Sequence, residues 1–130
     1  MKQQERRLGC FWGLATGDAL GAPIEFTFRD RTPEIRDMVG GGKFKLPPGA
    51  WTDDTAMALC LAQSLVHNPR LDAHDLLTRF TRWAYENENT STGRAIGCGQ
   101  NILQALIRFY KEGNLKAKAR GRQGLSLIHI

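Results

Sequence analysis

The stretch WTDDTAMALCLAQSLV, residues 51–66, opens on hydroxyl and carboxylate groups, runs into apolar residues, and is closed by Asn68-Pro69. It predicts a helix over 52–66 with an acidic first turn. Two more helical patterns follow. Over 72–88, Leu76, Leu77, Phe80, Trp83 and Ala84 form an apolar stripe behind Asp72 as N-cap and Asp75 at N3. After a polar loop at 87–92, Ile102, Leu103, Leu106, Ile107 and Tyr110 share one side of a helix over 101–110, with Gly113 as its stop. Upstream, Leu8, Phe11, Trp12, Ala15, Ala19 and Leu20 are spaced for a helix over 3–21 that Pro23 ends, and it is expected to be buried. No strand pattern separates these segments, so the expected fold class is all-α, without a repeat or a dividing linker.

Gly9, Gly13, Gly17 and Gly21 recur every four residues along the first helix. Each interior glycine costs a helix roughly 1 kcal/mol relative to alanine, so the series calls for a compensating close approach of another backbone or a ligand. Between 27 and 49 the periodicity disappears; Gly40-Gly41-Gly42 and Pro47-Pro48-Gly49 mark a long loop, of the kind that in compact domains is usually functional or disordered.

The chain has 130 residues, 42% hydrophobic and 24% charged, a globular composition of one domain's size. Its net charge of +5 is local. Arg108, Lys111, Lys116, Lys118, Arg120 and Arg122 face Glu112 alone, and the remainder is balanced. A basic end on a neutral body reads as a solvated tail rather than a nucleic-acid surface. No apolar run approaches the roughly 18 residues of a spanning helix, and the start of the chain carries no signal-peptide pattern. A cytoplasmic protein with neither nucleic-acid nor membrane partners is expected. Cys10, Cys60 and Cys98 form an odd set without a CxxC pair, which fits reduced thiols and excludes a zinc ribbon. The last six residues, LSLIHI at 125–130, back-translate comfortably to CTG TCT CTT ATA CAC ATC, a string like a transposon-end sequencing adapter. The natural sequence is therefore expected to be readable over 1–124 only, as the N-terminal portion of a longer domain.

Chemistry enters at Thr52, Asp53 and Asp54. Three hard oxygen donors at a helix start suit Mg²⁺, Mn²⁺ or Ca²⁺ rather than zinc. The same pattern also serves capping and the helix dipole, and these three residues alone leave both readings open. Asp18 lies within an apolar helix, where a buried carboxylate must be paired, hydrogen-bonded or protonated. Glu25, next to Phe26 and Phe28, is placed either as a solvated loop acid or as an acid with a raised pKa able to move a proton.

Taken together, GxxxGDALGxPxEF at 13–26, the long loop, and WTDDTxMxLxLAxSL at 51–65 resemble the ADP-ribosylglycohydrolase family, in both order and separation, over about residues 6–110. The resemblance implies the N-terminal part of an all-α multi-helix bundle carrying two divalent cations, Mg²⁺ or Mn²⁺, in a cleft. It implies a hydrolase that cleaves ADP-ribose from a protein side chain or a small conjugate at C1 of the distal ribose. On that resemblance Thr52, Asp53 and Asp54 are metal ligands, and Glu25 is the catalytic acid beside them, moving a proton or gating the bound ribose. Gly97, Cys98, Gly99 and Gln100 correspond to the loop that holds the diphosphate, a role suited to backbone N–H groups at a helix start, although a simple turn accounts for them equally. Asp18 is expected to hold the loop or the ligands in place from behind.

Two departures stand out. Some members carry an acid where this chain has Gly97, so that acid's catalytic role does not transfer. Members also run to roughly twice this length or more, and the later Asp-Thr-Asp segment that completes their metal site has no counterpart here, which leaves half an active site. The alternatives are a non-catalytic member that binds nucleotides or serves structurally, and an unrelated helical interaction module.

Overall fold

The computed structural model describes residues 2–32 and 34–113. Among the described residues four α-helices follow one another: α1 Gln3–Gly21, α2 Asp53–His67, α3 Ala73–Glu86 and α4 Gln100–Glu112. Short 3₁₀ turns occupy Ala22–Ile24 and Arg29–Arg31, and the described residues contain no strand beyond an isolated bridge between Gly41 and Leu46. The all-α expectation holds, with helix limits close to those predicted.

Local chemistry explains the limits. Asp72 accepts from the backbone N–H groups of His74 (2.8 Å) and Asp75 (3.3 Å), closing the start of α3. Asn87 and Gly113 end α3 and α4 in left-handed conformations, at φ 63° and 61°. Arg79 Nε donates to Asp75 Oδ2 at 2.8 Å across one helical turn. That guanidinium, followed by the Ser64 hydroxyl, holds the Asp75 carboxyl at about 2.

Packing centres on α2, which lies against α3 and meets α1, while α3 in turn carries α4. Its buried face is Thr55, Ala56, Cys60 and Ser64. The small side chains of Ala56 and Cys60 make room for the fully buried indole of Trp83, with Trp51, Met57, Phe80, Cys98 and Ile102 around them. Truncating such an aromatic to alanine typically costs ~3–5 kcal/mol. A second apolar cluster, Ala22, Leu46 and Ala50 with Phe44 and Ile96, joins the end of α1 to the long loop.

The first helix differs from expectation. Of α1 only Ala19 is buried, and Leu8, Phe11, Trp12 and Leu14 are exposed, Trp12 by 67%. Apolar periodicity marks the face a helix can bury, and among the described residues no element covers this one. The glycine series is likewise open: a β-carbon at Gly9, Gly13, Gly17 or Gly21 would meet nothing within 4 Å. No described helix is long and apolar enough to cross a membrane. The basic positions from Lys116 onward and the 125–130 tail lie outside the described residues.

Candidate active site

Asp18, one turn before the end of α1, reaches the start of α2. Its Oδ2 accepts from the backbone N–H of Thr52 (2.9 Å), the N–H of Thr55 (3.1 Å) and the Thr55 hydroxyl (2.6 Å), and its Oδ1 accepts from the Thr52 hydroxyl (2.6 Å). A carboxylate from another helix thus does the work an N-cap side chain normally does, and Thr52 makes no capping hydrogen bond of its own. With its proton committed to Asp18, the Thr52 oxygen keeps lone pairs for another partner.

Beside it, Asp53 and Asp54 are half-buried in the first turn of α2, and neither is paired with Lys, Arg or His among the described residues. Burial, reinforced by Asp54, pushes the Asp53 carboxyl up to about 6; burial and then Asp18 raise Asp54. Two unpaired, partly desolvated carboxylates beside a hydroxyl oxygen are a donor set that a hard divalent cation fits, since it would stabilise both charges. The described residues hold no cluster of three or more His, Cys, Asp or Glu side chains arranged around a metal, so other donors must fill such an ion's remaining positions.

Glu25 follows the 3₁₀ turn after α1 and belongs to the same electrostatic group. Partial desolvation first, and then the charge of Asp54, raise its pKa, while Lys43 opposes them. The aromatic surroundings expected from Phe26 and Phe28 do not form, because both rings are mostly exposed. Phe26, at φ 66°, instead meets Phe44 edge-on at 6.1 Å and carries the Lys43 ammonium 4.0 Å from its centroid. Lys43 was not evident from the sequence. It arrives because Gly42, at φ 70°, packs where a β-carbon would overlap the backbone of Pro23.

Gly97 closes the other side. At φ 87° it adopts a conformation that L side chains rarely take, and a β-carbon there would overlap the Asp53 carboxylate. The 97–100 segment therefore runs directly past Asp53, and Gly99 is the N-cap of α4. Burial and then the Asp53 charge push the Cys98 thiol up. The contacts of Thr55, which supplies two of the four donors to Asp18, and those of the loop at 87–91 behind Trp51 went unread, since they join residues 29 to 40 positions apart.

The family profile described as ADP-ribosylglycohydrolase matches residues 1–126. An ADP-ribosylarginine hydrolase of Serratia proteamaculans (strain 568) is 45% identical over 109 residues, covering 84% of this chain and 30% of that protein. An ADP-ribosyl-[dinitrogen reductase] glycohydrolase of Rhodospirillum rubrum is 37% identical over 117 residues, covering 87% and 37%. A solved structure titled ADP-ribosylglycohydrolase-related protein complex superposes with a TM-score of 0.72 at 45% identity, over 86% of this chain and 35% of its own. The chain spans about a third of the length of these relatives. On this evidence it belongs to the ADP-ribosylglycohydrolase family.

Proposed function

We propose that the chain forms one side of the active site of a metal-dependent hydrolase that releases ADP-ribose from a cytoplasmic ADP-ribosylated protein. The observation that carries this reading is the Asp18 brace on Thr52 and Thr55, which caps α2 from outside and leaves Thr52, Asp53 and Asp54 free for another partner. The Serratia relative's name favours an arginine linkage over a serine or small-molecule one.

Thr52, Asp53 and Asp54 would hold the two divalent cations, Mg²⁺ or Mn²⁺, which when bound supply a grip on ribose hydroxyls and an acidified water. Glu25, at the rim with a raised pKa, accepts the proton of the attacking water or returns one to the departing nitrogen. The carboxylates favour the oxocarbenium character that develops at C1. Backbone N–H groups at the start of α4, opened by Gly99 and Gln100, hold the diphosphate. Phosphate beside Asp53 would be repulsive without positive charge between them, which is a further reason to place cations there. The remaining metal donors belong to the part of the domain that the relatives have beyond the matched region.

Gly97 supports a second reading, binding without turnover, because no side chain fits where some members place an acid. Asp54→Asn tests the first. In the whole protein it should abolish Mg²⁺- or Mn²⁺-dependent release of ADP-ribose from ADP-ribosylated arginine, with helical circular dichroism nearly unchanged. A purely capping Asp54 would lose at most about 1 kcal/mol of stability and retain activity. Wild-type turnover in the variant would refute the metal assignment; ADP-ribose binding by calorimetry without any hydrolysis in the wild type would favour the second reading.

A further inference from the structure

We propose that Ser91 is a positioning residue for the 52–54 ligand turn, acting through the peptide plane that joins Trp51 to Thr52; the proposal rests on the metal-ligand reading of that turn. The Ser91 hydroxyl donates to the Trp51 carbonyl at 2.7 Å, and the N–H at the other end of the same peptide donates to Asp18 Oδ2 at 2.9 Å. A peptide unit is rigid, and its remaining freedom is rotation about the two flanking single bonds. One hydrogen bond leaves that rotation soft. Two, pulling on opposite edges of the plane from different segments, fix it, and with it φ of Thr52, the torsion that sets where its Cα–Cβ bond starts from.

The segment bearing Ser91 is itself held firmly. The side-chain amides of Asn89 and Gln63 exchange hydrogen bonds at 3.1 and 3.2 Å, and Asn89 Nδ2 also donates to the buried Cys60 Sγ at 3.4 Å. Asn87 Oδ1 accepts from the Ala95 N–H at 3.0 Å. Asn87 and Asn89 take left-handed φ of 63° and 57°, which asparagine tolerates better than most residues. The Trp51 indole N–H donates to the Asn89 carbonyl at 3.1 Å, so the loop grips residue 51 by both side chain and backbone. Asn89 anchors the loop to α2 without Ser91. What Ser91 adds is the orientation of the peptide immediately ahead of Thr52.

Ser91→Ala and Ser91→Thr in the whole protein, with amide hydrogen exchange of the metal-free form and Mn²⁺ binding by electron paramagnetic resonance, test this. Ser91→Ala should speed exchange at Thr52 and Thr55 about fivefold or more while α3 and α4 keep their protection. It should also weaken Mn²⁺ binding about 10- to 100-fold, the range typical of groups that orient metal ligands from behind. Ser91→Thr, which keeps the hydroxyl, should restore both. Unchanged exchange at Thr52, unchanged Mn²⁺ affinity, or a loss of protection spread evenly over all helices would each overturn the proposal. Wild-type protein that binds no Mn²⁺ would overturn the metal reading instead, and the metal-free exchange would still decide whether Ser91 braces Thr52.

Discussion

The four donors that converge on Asp18 make it the residue whose loss should be felt most at the start of α2. Asp18→Ala strands two backbone N–H groups and two hydroxyls on Thr52 and Thr55, both buried residues, and should destabilise the protein by ~3 kcal/mol in a denaturant titration. Asp18→Asn retains one acceptor oxygen and should cost less. A loss within 0.5 kcal/mol for alanine would mean that water replaces the carboxylate. Asp53 makes the opposite kind of contribution. Its folded carboxyl sits at about 6 against an ordinary 3.8, so between those values the folded state holds more protons than the unfolded chain. Stability of the metal-free protein should therefore fall as pH rises through this window and level off above about 6. Asp53→Asn should flatten that slope in denaturant midpoints measured at several pH values, and an unaltered slope would contradict the burial argument. If Asp53 is a metal ligand as proposed, Mn²⁺ must displace that proton, so its affinity for the wild type should rise over the same interval. The sequence made legible that Asp18 needed a partner, because a carboxylate in an apolar helix must be satisfied. It could not name Thr52 and Thr55, which lie 34 and 37 residues away.

All four helices were readable from periodicity and caps, because α-helical hydrogen bonding is local. Asp72, Asn87 and Gly113 close their helices through neighbours a few residues away. What periodicity could not supply was a partner for each apolar face, and α1 shows the difference: its spacing is helical, yet most of it is exposed. The glycines divide on the same ground. Gly13 sits at an ordinary helical position with open space where a β-carbon would go, so Gly13→Ala should raise the melting temperature of this chain, by about 0.5–1 kcal/mol in stability. Destabilisation instead would show that another backbone closes on this face. Gly97→Ala should do the reverse, combining a left-handed φ of 87° with overlap on Asp53. It should lower stability by ~1–2 kcal/mol and, by displacing the carboxylate proposed as a ligand, weaken the Mn²⁺ binding expected of the proposed site. A GxG reads in sequence equally as a simple turn or as a phosphate-holding loop; the contact of Gly97 with Asp53 comes from the structure alone.

The apolar surface that remains has a pattern. Leu8, Phe11, Trp12 and Leu14 stand exposed along α1, and Tyr85 and Tyr110, their rings 6.3 Å apart, line an open groove of about 280 Å³ between α3 and α4 with Thr81 and Ile107. Soluble monomers rarely expose contiguous apolar patches beyond a few hundred Å², and helices of 13 to 19 residues depend on tertiary packing for most of their stability. The best-packed part is Trp83 against Ala56 and Cys60, and none of the exposed apolar residues of α1 belongs to it. The 130-residue chain on its own should therefore bind a hydrophobic dye, melt over a broad range and associate as its concentration rises, with its net charge of +5 delaying precipitation rather than improving packing. Sedimentation velocity across a concentration series, read beside dye fluorescence and calorimetry, checks this. A concentration-independent monomer with a sharp cooperative transition and no dye binding would show that the exposed face of α1 is tolerated as it stands.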